Sequence, residues 1–322
     1  MCHLKSCLVL KDRVYCPDYD SHQDMLDKLG IKDDYLGASK TFVRVELLPP
    51  DGMRSLMEPL DRWTLKVDQD VTPEWWDAEA DRQRVEEAVD AWRMEHVFAE
   101  GEHIVKAGEV YVCGSATVTA RDGARVTAYG SATVTARDGA RVTAHDSATV
   151  IAYGSATVTA HDSATVIAYD SAMVKAWGSA TVTARDGARV TAYDSAMVKA
   201  CDSATVTARD GARVTAHDSA TVIAYGSAMV KAWGSATVTA RDGAMVKACD
   251  SATVKACDSA MVKAWGSATV EAWGSATVKA CDSAMVKACD SAMVKACDSA
   301  TVIYPQKNKI VYPAGWTAET HD

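Results

Sequence analysis

Threonines recur in pairs separated by one residue, Thr117/Thr119, Thr133/Thr135 and Thr181/Thr183, and the pairs stand at one fixed interval or a multiple of it. Hydroxyls in such a register form a lattice of the kind that ordered water can match, so ice binding is one chemistry this spacing allows. The array is interrupted at Thr149-Val150-Ile151 and Thr165-Val166-Ile167, and Met-Val-Lys takes over at Met197, Met229, Met245 and Met261. Threonine is also a good strand residue, and a solvated strand face accounts for the same pattern. A second series recurs at half that interval through Arg121, Tyr129, Arg137, His145, Tyr153, His161, Tyr169 and Trp177. Rings and guanidinium groups in a row can stack on bases or on another protein. The plainer account is that Tyr and Trp cover corners while Arg pairs with the Asp that follows, as in Arg121-Asp122.

Toward the C-terminus the same positions become Cys249, Cys257, Trp265, Trp273, Cys281, Cys289 and Cys297, beside Met285 and Met293. Cys281 and Cys297 are separated by the same interval as Thr117 and Thr133, which makes them candidate neighbours for a disulfide or a shared soft metal. No CxxC or His-spaced ligand set supports a metal, and no cofactor is expected. Met245, Met261, Trp265, Trp273, Met285 and Met293, with Cys281 and Cys297, read as an apolar contact surface, because exposed apolar patches tend to mark interfaces. In the N-terminal region Asp18, Asp20 and His22 cluster within DYDSHQD, a pattern more typical of a helix entry than of a catalytic site. Glycine-rich phosphate loops, nucleophile elbows and zinc motifs are absent, so no enzyme is expected.

The elements that must position these side chains follow from the repeat. From Gly114 the sequence parses without a gap into 24 octads, GSATVTAR, DGARVTAY, GSATVTAR and onward to DSATVIYP. Fixed self-similarity means a solenoid. The third position is always Ala, the fifth always Val and the seventh Ala until Tyr304, whereas the even positions vary. A period of two is the strand period, so Ala-Val-Ala faces inward. The even set carries Arg125, Lys175 and Glu271, which must face water or a partner, since burying such charges unpaired is costly. Positions one and two are Gly or Asp and Ser or Gly, the residues of tight corners. Each octad is one strand plus one corner.

An interior of one Val and two Ala is thin, and a flattened coil of two octads closes it better than a triangular coil of three. Twelve coils of two octads give a rod of roughly 55–60 Å at about 4.8 Å per rung. The expectation is a mainly β protein: a β-solenoid of octapeptide repeats over residues 114–303, preceded by a small α+β unit over residues 1–103 and a cap over 104–113, and followed by a cap over 304–322. In the N-terminal unit Ser21 caps a short helix ending at Gly30, residues 42–48 form a strand and Trp63 to Val67 another. Thr72-Pro73 is expected to open a longer helix.

The TVT segments within the double octads resemble the repeats of bacterial ice-nucleation proteins, which are described as flat β-solenoids with Thr-x-Thr arrays. Separately, KSCLVLKDRVYCPDYDSHQDMLDKLGIKDDY followed by DSATV-type octads is similar to uncharacterised repeat proteins of gut bacteria and their phages. The first resemblance implies an ice-binding face; the second implies an architecture.

The net charge of -9 belongs to the N-terminal region, where 14 Lys+Arg stand against 24 Asp+Glu in residues 1–113, while the repeat has 18 against 17. Such balance predicts no continuous basic stripe and argues against nucleic acid as the partner. Ten cysteines without an export signal point to a reducing, cytoplasmic setting, and no apolar stretch is long enough for a membrane span. The resulting expectation is a repeat scaffold that binds an unknown protein partner or itself as a homo-oligomer. Ice binding, and nucleic-acid or host-factor binding by a phage-type protein, are the alternatives.

Overall fold

The computed structural model describes residues 5–32, 41–304 and, for the backbone alone, 309–311. It separates into two compact units, one made of Met1–Gly101 with Glu109–Ala116, the other of Glu102–Gly108 with Thr117–Asp322. The chain therefore passes between the units more than once before the repeat settles into one of them.

In the first unit β1 (Ser6–Leu10), β2 (Val14–Tyr15), β3 (Phe42–Leu48) and β4 (Thr64–Val67) form an antiparallel sheet in the order β2-β1-β3-β4. Two helices, α1 (His22–Leu29) and α2 (Ala78–His96), complete it. Leu8, Leu10 and Phe42 pack with Met25 and Leu26 of α1. Cys7, Val9, Val43, Val45 and Leu47 pack with Val85, Val89 and Trp92 of α2. With both faces covered, every residue of β1 is buried and its alternation disappears. That is why SCLVL gives no period-two signal. Ser21 caps α1 by accepting from the Asp24 N–H at 3.2 Å, and Gly30 ends it in the left-handed region at φ 67°.

The longer helix starts later than Thr72-Pro73. Pro73 closes a turn, its carbonyl accepting from the Trp76 N–H at 3.0 Å. Asp77 supplies what proline lacks, a side-chain acceptor, and takes the N–H groups of Glu79 and Ala80 at 3.0 and 3.1 Å. No helix among the described residues is long and apolar enough to cross a membrane.

The second unit is a β-solenoid with two octads per coil. Thr117↔Thr133↔Thr149 and Val118↔Val134↔Val150 are paired in parallel at a step of two octads, which excludes the triangular coil. The twelve odd octads, with Glu102–Val105 ahead of them, build one sheet of 13 strands ending at Met293–Ala296, about 58 Å long at about 4.8 Å per strand. Even octads build the other, from Arg125–Ala128 to Thr301–Tyr304, where Lys309–Val311 adds an antiparallel strand. The remainder of the expected C-terminal cap lies outside the described residues. Inward side chains such as Ala116, Val118, Ala120, Ala180, Val182 and Ala184 have no exposed surface.

Each corner is a turn from position eight to position three, closed for example by the Ala164 N–H on the His161 carbonyl at 3.0 Å. Position one adopts φ > 0 throughout, and the aspartates there lie between 51° and 57°. Outside glycine, Asp is among the few residues that enter this region readily, because its short side chain bonds locally. Here that bond runs along the rod. Asp146 Oδ2 accepts from the Gly130 N–H at 3.2 Å and Asp282 Oδ2 from the Gly266 N–H at 3.0 Å, each one coil back. Serine at position two adds a second tie, as when Ser203 Oγ donates to the Asp186 carbonyl at 2.7 Å.

An interior this small has no room to repack. Ala184→Leu is expected to destabilise the solenoid by about 1–3 kcal/mol or more through overpacking, whereas the outward Thr183→Leu should stay within about 0.5 kcal/mol. Urea unfolding of both variants measures the difference; equal effects would refute the inward assignment.

Candidate functional site

Because the register is two octads, every outward position becomes a straight column. On the odd-octad sheet, position four is Thr117, Thr133, Thr149, Thr165 and Thr181, five threonines in unbroken succession. Position six beside it reads Thr119, Thr135, Ile151, Ile167 and Thr183. The three expected Thr-x-Thr pairs therefore share one face, with two isoleucines between the second pair and the third.

The position-eight residues divide between two edges. Tyr129, His145, His161, Trp177 and Tyr193 stack in one continuous row, with ring centroids 4.9–5.1 Å apart and planes within 8° of parallel. On the other edge Tyr153 and Tyr169 stack at 5.0 Å, and the Arg137 guanidinium lies over Tyr153 at 4.9 Å. The strand spacing of about 4.8 Å sets this ring separation, which falls in the favourable range for aromatic pairs. Arg121 heads the same edge but does not pair with Asp122. Corner aspartates aim along the rod at the preceding coil's N–H, and the arginines Arg137 and Arg209 find rings instead.

The eight residues expected to form an apolar contact surface do not make one patch. Met245, Met261 and Met293 stand in one column of the odd-octad sheet, 38%, 48% and 62% exposed, while Met285 stands on the opposite sheet. Trp265, Cys281 and Cys297 line one edge, and Trp273 lies on the other. Cys281 and Cys297 are stacked neighbours with Cα atoms 4.8 Å apart and are joined by a disulfide. Asp298 has a carboxylate oxygen within 4.8 Å of both sulfurs.

A lysine stripe gave no signal in the regional charge count. Position six of the odd-octad sheet becomes Lys231, Lys247, Lys263, Lys279 and Lys295, five exposed lysines on consecutive rungs. Among the described residues none of them meets a carboxylate, whereas Lys287 on the other sheet pairs with Glu271 at 3.5 Å. The regional balance of 18 against 17 concealed this stripe. The acids lie at corners and the bases on a face, and only the two-octad register separates them. Reading position six at every second octad would have revealed it.

Next to the stripe, Lys231, Trp233, Lys247, Cys249 and Trp265 line an open cleft of about 320 Å³. Burial pushes the Cys249 thiol up, the Asp250 carboxylate adds to this and Lys247 opposes it, so the thiol is neutral near pH 7.

The cluster in DYDSHQD does not converge. Asp20 pairs with buried Lys5 at 3.2 Å, His22 Nε2 meets the Val45 carbonyl at 3.2 Å, and Asp18 meets His96 at 3.0 Å. Cys7 contacts Cys16 at 2.7 Å, and burial pushes its thiol well up, opposite to the direction that activates a thiolate.

Fold and surface together define a tandem-octad β-solenoid with a constant interior and columns of varied outward side chains. No family model, curated protein or solved structure matches the chain.

Peptide mapping of the unreduced, alkylated protein should recover the segments holding Cys281 and Cys297 as one linked species that separates on reduction. Recovery of both as alkylated single peptides from folded protein would disprove the link.

Proposed function

We propose that this protein is a non-enzymatic repeat scaffold whose solenoid supplies a surface for protein binding or self-association. The observation that carries this reading is the row of Met245, Met261 and Met293, partly exposed on one sheet with Thr277 between the last two. Methionine is flexible and polarisable and adapts to a partner's contour, and exposed apolar columns tend to be covered in an assembly. The invariant interior keeps such a column straight whatever stands outside it. Nucleic-acid or host-factor binding by a phage-type protein is an alternative to it, supported by the resemblance of residues 5–35 to repeat proteins of gut bacteria and their phages.

Threonine already occupies position four in many octads, so Met245→Thr, Met261→Thr and Met293→Thr together should leave the fold intact. Light scattering across a wide concentration range should show association of the full chain. The triple variant is expected to weaken it at least tenfold, equivalent to about 1.4 kcal/mol. Identical association of the two proteins would exclude this face.

A second reading, ice binding, is favoured by the unbroken Thr117 to Thr181 column and by the resemblance of the double octads to ice-nucleation repeats. It predicts ice shaping or thermal hysteresis that disappears when Thr133→Arg and Thr135→Lys are combined. Both replacements are residues that other octads carry at those positions. Unchanged ice shaping in that variant would rule these rows out.

A further inference from the structure

The row that contains Trp233, Cys249 and Trp265 occupies three consecutive rungs, fixed by the Cys249 N–H on the Ala232 carbonyl and the Trp265 N–H on the Ala248 carbonyl, both at 2.9 Å. Rungs are 4.8 Å apart where Cα atoms of this edge are measured, between Cys281 and Cys297. The backbones of Trp233 and Trp265 thus lie about 10 Å apart, two strand spacings, with the small Cys249 between them. In the N-terminal half of the solenoid, where rings occupy consecutive rungs of one edge from Tyr129 to Tyr193 and at Tyr153 and Tyr169, they stack at 4.9–5.1 Å. Between Trp233 and Trp265 the rung carries Cys249 in place of a ring, and an open cleft of about 320 Å³ is lined by all three. Its floor is the neutral Cys249 thiol, and its remaining lining is Lys231 and Lys247.

We propose that this slot binds a nucleotide, with the planar base stacked between Trp233 and Trp265 and the phosphate held by Lys231 and Lys247. Three observations converge on that chemistry. Two indoles lining one cleft favour a flat aromatic system and are indifferent to its edge. Two ammonium groups without a carboxylate partner among the described residues select an anion attached to that system. Asp250, beside Cys249, makes no ion pair with these lysines and accepts from the Gly234 N–H at 3.2 Å. The volume also lies within the range of small-ligand sites. The same chemistry is offered by a free mononucleotide and by one unit of single-stranded nucleic acid. Lys263, Lys279 and Lys295 continue the stripe beyond the slot and would follow the backbone of a longer strand.

The test uses the reduced full-length chain, titrated with deoxyadenosine monophosphate and, separately, with a short single-stranded oligodeoxyadenylate, following tryptophan emission and ligand anisotropy. Quenching by at least one of them is expected. Cys249→Trp fills the slot and should abolish binding of both; Trp already occurs at position eight in Trp177 and Trp273, so the replacement suits the repeat. Trp265→Arg, another native choice at that position, removes one wall and should abolish stacking by an independent route. Lys231→Gln with Lys247→Gln should weaken binding at least tenfold and reduce its dependence on salt. An oligomer that binds more tightly than the monomer, with affinity falling steeply as salt rises, identifies single-stranded nucleic acid as the source. Equal affinities identify a free nucleotide. Binding by neither ligand overturns the proposal, as does binding that persists in folded Cys249→Trp, which would reduce the site to a charged column.

Discussion

Everything on the surface of the solenoid depends on an interior of one valine and two alanines per strand held in a strict two-octad register. Such a core buries little apolar area per rung, so cohesion must come from repetition. Each coil's backbone bonds to the next, and many corners are tied along the rod by an aspartate carboxylate, a serine hydroxyl or both. In this setting aspartate is a structural residue. It tolerates the left-handed corner and then uses its side chain to satisfy the neighbouring coil's N–H. A glycine there supplies the conformation without the tie, and both residues recur along the two edges.

The rigidity of this frame converts sequence into columns. A side chain repeated at every second octad becomes a row with a pitch near 4.8 Å, and the chemistry of that row is set by whichever residues recur. Threonine gives a hydroxyl row, Tyr, His and Trp give stacked rings, and lysine gives a line of like charges. Like charges on adjacent strands repel, and five in succession without counter-carboxylates are tolerated only because each is well solvated.

Most of this could be read from the octads themselves. The inward assignment followed from the charged residues Arg125, Lys175 and Glu271 alone, and the two-octad coil from the small volume of Ala-Val-Ala. In the N-terminal unit the cap at Ser21 and the stop at Gly30 were equally legible, because capping is local. β1 was not legible, since a strand buried on both faces loses its alternation. The start of α2 was displaced because Pro73 favours a helical φ without providing an acceptor, while Asp77 provides one. The lysine stripe was hidden for a different reason. Charge counted along a chain averages over faces, and only pairing register separates the corner acids from the facial bases. The expected grouping of Met285 and Trp273 with Met245 and Trp265 failed for the same reason, since proximity in the octad series does not mean sharing a sheet.

The alternation of octads between two sheets gives the gene an arithmetic of its own. Inserting or deleting two octads lengthens or shortens the solenoid and leaves every later residue on the face it already occupied. Inserting a single octad preserves the interior just as well, yet transfers everything downstream to the opposite sheet and the opposite edge. The lysine stripe would then begin on the other side, beneath a different set of neighbours. Length changes of this chain are therefore silent or face-exchanging according to whether the number of octads is even or odd, and the core registers neither.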